Sequence, residues 1–267
     1  MLGKIVNFDL LYLCFYVISL SFAFLSQGFK RKILYCLSDL SFFIGFIIHS
    51  ITFIFKWFSL SIIPSRNLGE LLDTTALILV LVYFGSKLFL KNREIAFFLL
   101  PFVVLFLFGS KIFIFKTQET FAFYSSVWFP IHILLLVSGI ALTIFAFIYS
   151  TIFIMQDYSL RKRKIANELM LPSIETAGRL GKNYLITGFV FLTSGLFTAI
   201  YYGIAMKGEN PDYHPGLLEV GTFLSWLTLG ISSFGFIRSS MKPKKRVMLL
   251  MVGATLFLLI FFGLLWH

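Results

Sequence analysis

The chain has 267 residues, of which 58% are hydrophobic and only 13% charged, with a formal net charge of +11. A soluble domain of this length needs roughly a quarter of its residues charged to cover its surface, so a water-soluble globule is excluded and lipid is the expected solvent. The 35 phenylalanines agree with that. The two cysteines, Cys14 and Cys36, form neither a CxxC nor a CxxCH motif, which gives no redox pair, no zinc site and no c-type haem attachment site.

A helix needs roughly 20 mostly apolar residues to cross the hydrocarbon core. Runs of that kind predict spans near 8–27, 38–60, 72–90, 95–114, 129–155, 184–205, 218–238 and 247–266. The first run lacks a cleavage-site pattern and a basic segment beyond Lys4, so it is expected to be a retained span. The fifth is long enough to tilt or to protrude from the bilayer. The segment 161–182 between spans five and six mixes charge with spaced apolar residues. A short interfacial helix ending near Pro172 is expected there, then a turn leading into span six; the segment reads either as a solvated connector or as a docking surface for a cytoplasmic partner. No internal repeat and no soluble domain is visible, so residues 1–267 read as one integral membrane domain.

Lys and Arg set the orientation, because cytoplasmic loops carry the excess. Lys30, Arg31 and Lys32, then Lys87, Lys91 and Arg93, then Arg161, Lys162, Arg163, Lys164, Arg179 and Lys182, then Arg238, Lys242, Lys244, Lys245 and Arg246 fall in the connections 1–2, 3–4, 5–6 and 7–8, respectively. Lys4, Lys56, Arg66, Lys111, Lys116 and Lys207 are left for the other side. The division predicts an all-α, polytopic transmembrane helical bundle of about eight spans with both termini on the non-cytoplasmic side. Attraction to anionic lipid accounts for the basic charge without nucleic acid as a partner.

Four histidines remain for chemistry. His132 stands at the outer end of span five, His214 in the outer loop 6–7, His267 at the outer end of span eight, and His49 near the middle of span two. Imidazole is the usual neutral nitrogen ligand of iron, and two histidines from separate helix ends can clamp a haem iron from both sides. Each has a plainer reading beside this one. His132 can bond locally at its helix start, His214 beside Pro215 can be a loop residue, His267 can anchor the interface with Trp266, and His49 can join two helices by a hydrogen bond. Glu70 and Asp73 near the start of span three, and Glu219 at the start of span seven, suit the positive end of a helix dipole. No HExxH or comparable spacing supports hydrolytic metal chemistry.

Several segments, taken in order, resemble the membrane cytochrome c assembly proteins, the CcsA, CcmC and HemX-like group. In PSRNLGELL, Pro64, Asn67, Leu68, Glu70 and Leu72 match a family pattern, while Arg66 and Gly69 depart from it. WFPIHILLLVSGIALTIFAFIYSTIFIMQ is similar to the family helix that opens with an external haem-ligand histidine, and His132 falls on that position. In LPSIETAGRL and YLITGFVFLTSG, Leu171, Pro172, Ser173, Glu175, Arg179, Leu180, Gly188, Phe189, Thr193 and Gly195 match. The family's tryptophan-rich outer loop is mostly absent from HPGLLEVGTFLSW. Glu219 and Trp226 keep its spacing as a haem-loop remnant, but Gly216 and Gly221 stand where an aspartate and a tryptophan would be. The resemblance covers residues 38–267 as the core.

The resemblance implies a haem-handling membrane protein of cytochrome c biogenesis. It would hold non-covalent b-type haem at the outer face through His132 and His267, with His49 and His214 as secondary candidates. It would present or relay that haem to apocytochrome c, within a haem lyase or synthase complex that includes a second membrane subunit. The bacterial plasma (inner) membrane is the implied location. The alternative is a HemX-like scaffold or regulator of haem biosynthesis that acts through its basic loops without ligating haem.

Overall fold

The computed structural model describes residues 2–60, 63–65, 67–90, 95–113, 128–161, 171–209, 217–237 and 243–263. Among them the chain is all helical. The elements in order are α1 (Leu2–Phe29), α2 (Lys32–Leu60), α3 (Leu68–Leu90), α4 (Ile95–Ile112), α5 (Trp128–Arg161), α6 (Ile174–Glu209), α7 (Leu217–Ile237) and α8 (Pro243–Gly263). Each of the eight expected apolar runs lies on one of these helices. Five of the eight (α1 to α5) are long and apolar enough to cross a membrane among the described residues, and the described apolar part of α8 is shorter, Val247–Leu256. The protein is a multi-pass integral membrane protein. The expected interfacial helix before Pro172 lies largely outside the described residues.

The helices start and stop where local chemistry dictates. Asn67 caps α3: its Oδ1 accepts the Glu70 backbone N–H at 2.8 Å, which satisfies one of the donors a helix start leaves open. The Thr74 hydroxyl donates to the Pro64 carbonyl at 2.7 Å and ties the preceding loop down onto α3. Ser173 does for α6 what Asn67 does for α3, accepting the Thr176 N–H at 3.2 Å. The turn before α6 is also held from α5, where the Gln156 side-chain amide donates to the Pro172 carbonyl. Between α1 and α2 the chain reverses through Lys30, whose φ of 50° closes α1 with a bond from its N–H to the Ser26 carbonyl.

The chain divides into two compact units, 1–130 and 131–267. In the first, α1 and α2 pack along a seam in which every third or fourth residue is buried. Asp9, Tyr12, Tyr16, Ser19, Ala23 and Ser26 line it from α1, and Thr52, His49, Gly45, Phe42 and Ser38 from α2. That spacing is one face of a helix, and the face is unusually polar for its depth. Ser19 and Ser38 exchange side-chain bonds to each other's carbonyls at 2.9 Å, a means of joining helices where lipid gives no hydrophobic drive. The opposite faces present Phe8, Ile18, Phe24, Phe43, Ile47, Ile51 and Phe55, all exposed, as lipid-facing residues would be. Between α3 and α4 the core is aliphatic, with Leu72, Leu79 and Val80 beside Leu99, Val103 and Leu107.

In the second unit α5 and α6 cross closely. A Cβ on Gly139 would stand 2.6 Å from Leu192 Cγ and 2.9 Å from its backbone nitrogen, and one on Gly195 would stand 2.6 Å from Leu136 Cδ2. One on Gly188 would meet the Gly139 carbonyl at 3.2 Å. Small residues at such a crossing let backbones approach and gain van der Waals contact in a lipid solvent.

Candidate functional site

The close α5–α6 crossing positions His132. The residue lies in the first turn and a half of α5, half-buried, with its ring turned onto α6. Its Nδ1 stands 3.0 Å from the Gly195 carbonyl oxygen and 2.8 Å from Thr198 Oγ1. The Thr198 hydroxyl proton is already donated to that same carbonyl at 2.6 Å, so both oxygens accept from Nδ1, and Nδ1 carries the ring proton. The lone pair is thereby placed on Nε2, which makes no hydrogen bond among the described residues. A histidine whose Nδ1–H is fixed by a carbonyl and whose Nε2 is left bare is the usual arrangement behind a metal-ligating imidazole. An imidazole held in this way could bind the iron of a haem.

Trp226 is placed differently. Its indole N–H donates to Thr193 Oγ1 at 2.9 Å, and its ring stacks on Phe189 at 5.7 Å between centroids. Phe189, Trp226, Leu227, Gly230, Ile231 and Phe234 line an apolar groove of about 380 Å³ between α6 and α7. Successive residues on a helix turn by about 100°. Thr193 thus faces nearly opposite to Gly195 and Thr198, and His132 and Trp226 approach α6 from opposite sides at similar depth. The two residues are not brought together.

Glu219 lies in the first turn of α7. His214 and His267 lie outside the described residues.

His49 belongs to a constellation in the first unit that the sequence revealed only in part. Its ring is fully buried and stacks on Tyr12, with centroids 4.2 Å apart and planes 9° from parallel. Nδ1 stands 3.4 Å from the Tyr16 hydroxyl and Nε2 3.6 Å from Asp73 Oδ1. Asp73 also accepts from the Tyr12 hydroxyl at 2.6 Å and from Lys56 at 3.3 Å. Lys56 reaches Asp9 at 2.9 Å, and Lys111 reaches the same Asp9 oxygen at 3.3 Å. Four helices thus meet at one end of the unit. The two aspartates come from the first part of α1 and of α3, and the two lysines from the last part of α2 and of α4, the sense that helix dipoles favour. Asp73 was expected to serve its own helix start; it bonds across to α1 and α2 instead. His49 faces a carboxylate and a phenol, with a tyrosine ring over its plane.

Among the described residues no group of three or more His, Cys, Asp or Glu side chains could hold a metal ion. A porphyrin iron needs only one or two imidazoles from the protein, which is what His132 offers.

Residues 7–267 match the family described as cytochrome C assembly protein. The chain belongs to that family. No curated protein matches it. Within this cytochrome c assembly protein, the segments that suggested the family each have a structural task. Asn67 caps α3, Ser173 caps α6, Gly188 and Gly195 let α5 and α6 approach, and the Gly195 carbonyl fixes the His132 tautomer. Nothing local marks Asp9, Lys56 and Lys111 as partners, although Asp9, Tyr12, Tyr16 and Ser19 recur at the 3–4 spacing of one helix face.

Proposed function

We propose that this member of the cytochrome c assembly family binds haem at the non-cytoplasmic membrane face. His132 and His267 would hold its iron through their imidazoles, and the protein would present or relay the haem to apocytochrome c beside a second membrane subunit. The observation that carries the reading is the bare Nε2 of His132, set by bonds from Nδ1 to Gly195 and Thr198. Haem would be non-covalent and b-type here, and it would supply the vinyl groups to which cytochrome thiols are joined. The chain's own part is to fix the imidazole, exclude water by burying the ring against α6, and orient the group for transfer. The setting is a bilayer with eight spans and both termini outside, most simply a bacterial inner membrane.

The absorption spectrum of protein purified from haem-replete cells tests this. A Soret and α band typical of two imidazole ligands is expected, lost or shifted in His132→Ala. Colourless wild-type protein, or a spectrum unchanged in that variant, overturns it. Single cysteines at positions 132 and 267 should label from the same compartment.

A further inference from the structure

The haem reading uses His132 and leaves the buried constellation of the first unit without a task. Its cost is considerable: two carboxylates and two lysines sit within a helical bundle, their side chains 5–21% exposed, with a fully buried imidazole beneath them. Ionisable groups at such depth are retained for a use.

Three observations narrow that use. First, two buried polar atoms in the cluster have no hydrogen-bond partner among the described residues, His49 Nε2 and Asp9 Oδ1. The lone deficit on the ring faces Asp73 Oδ1 at 3.6 Å, just beyond bonding reach. Second, the two ring nitrogens face groups of different kinds. Asp73 can give or take a proton at Nε2. The Tyr16 hydroxyl at Nδ1 can donate to a bare nitrogen or accept from a protonated one by turning about its C–O bond. Third, the cluster is graded from partly exposed to fully buried. The side chains of Lys111, Lys56 and Asp9 are 21%, 17% and 13% exposed, that of Asp73 is 5%, and that of His49 is 0%. Below His49 the seam closes on Phe42 and on Gly45, where the Tyr16 ring edge lies 3.4 Å from the space a Cβ would fill.

We propose that Asp9, Asp73 and His49 form a proton-relay and storage site, open to water at the charged end of the unit and closed below His49. The step is a simple transfer. A proton from water reaches a carboxylate at the partly exposed end and protonates Asp73. The Asp73 O–H bond breaks as an N–H bond forms at His49 Nε2, leaving a carboxylate beside an imidazolium. The added charge is shared by Asp73, the Tyr16 oxygen turned to accept, and the face of Tyr12 stacked on the ring. Return of the proton reverses each change. The groups facing His49 are Tyr12 and Tyr16 from α1, Thr52 and Lys56 from its own helix, and Asp73 from α3. Lys111 of α4 reaches Tyr12 and Asp9 behind them. Lys56 lies 2.9 Å from Asp9 and 3.3 Å from Asp73, so a proton on either carboxylate would forfeit a charge pair that a proton on the imidazole leaves intact.

The test uses the full chain with His132→Gln, His214→Gln and His267→Gln, so that His49 is the sole histidine, labelled with ¹⁵N and placed in lipid vesicles. These changes remove the residues of the haem reading, so the two proposals fail independently. Samples prepared at different pH should show both the cationic and the neutral pattern of the ring nitrogens, and Asp73→Asn should reduce the cationic fraction at least tenfold at the same pH. A single neutral pattern throughout, or an Asp73→Asn spectrum that titrates as its parent does, overturns the proposal and leaves the cluster a structural tie. If the triple variant does not fold, the same signal is obtained as the difference between labelled wild-type protein and His49→Gln.

Discussion

Replacing Gly139 with alanine isolates what the close α5–α6 approach contributes. The new Cβ would stand 2.6 and 2.8 Å from the Leu192 side chain and 2.9 Å from its backbone nitrogen. The side chain can rotate away, but the backbone nitrogen cannot. Ordinary contact begins near 3.4 Å, so the helices must part by roughly 0.5 Å. Overpacking of this kind costs about 1–3 kcal/mol, against a gain of up to about 1 kcal/mol from exchanging glycine for alanine inside a helix. Gly85→Ala supplies the comparison, since a Cβ there meets nothing within 4 Å. It receives the same propensity gain, so the difference between the two variants is the steric part alone, about 1–3 kcal/mol in favour of Gly85→Ala. Reversible unfolding in mixed micelles measures it. Equal stability of the two variants would refute the argument, because it would mean that α5 and α6 do not approach through Gly139.

Other expectations follow from the same contacts. Thr198→Val removes one of the two acceptors of His132 Nδ1–H and should weaken haem retention by about tenfold, the lower end of what losing an outer partner of a metal ligand costs; titration of purified apoprotein with haem reads this directly. Asn67→Ala removes the α3 cap and should cost about 1 kcal/mol, seen as faster amide exchange at Glu70 and Leu71. Lys56→Met leaves Asp9 with Lys111 alone and Asp73 without a lysine partner. A loss of about 2–3 kcal/mol is expected, below the full cost of orphaning a deeply buried charge because Lys56 retains some exposure. Trp226→Phe removes the bond to Thr193 but keeps the stack on Phe189, and should cost no more than about 1–2 kcal/mol with the His132 environment unchanged, since α6 stands between them.

The helices were legible because lipid demands long apolar runs, and such runs are local. All eight fall on helices whose bounds lie within a few residues of expectation, apart from α1, α2, α5 and α6. These four extend beyond the runs, α5 at its end and α6 at its start through mostly polar residues that composition does not mark as spanning. The place of His132 near a helix start was legible, but its orientation was not, because Gly195 and Thr198 lie 63 and 66 residues away. The charged cluster was the least visible. Lys56 and Lys111 count among the outer-side charges, and Asp9 lies within the first expected run with no reading attached to it. What makes them a unit is convergence of four helix ends, with partners 47 residues apart for Lys56 and Asp9 and 99 apart for Lys111 and Tyr12. A single chain carries no local mark of such pairings. His49 drew notice only because an imidazole at mid-span has few idle explanations.

The balance of the cluster has a consequence for a membrane protein placed under a transmembrane voltage. Asp9 and Asp73 cancel Lys56 and Lys111, so a transmembrane voltage exerts almost no net pull on the assembled group, and the four helix ends are not levered as the potential rises and falls. Only a charge free to hop within the group would feel the field. The same neutrality that lets these side chains reside below the surface would therefore leave a proton moving to His49 as the charge in the cluster that responds to voltage.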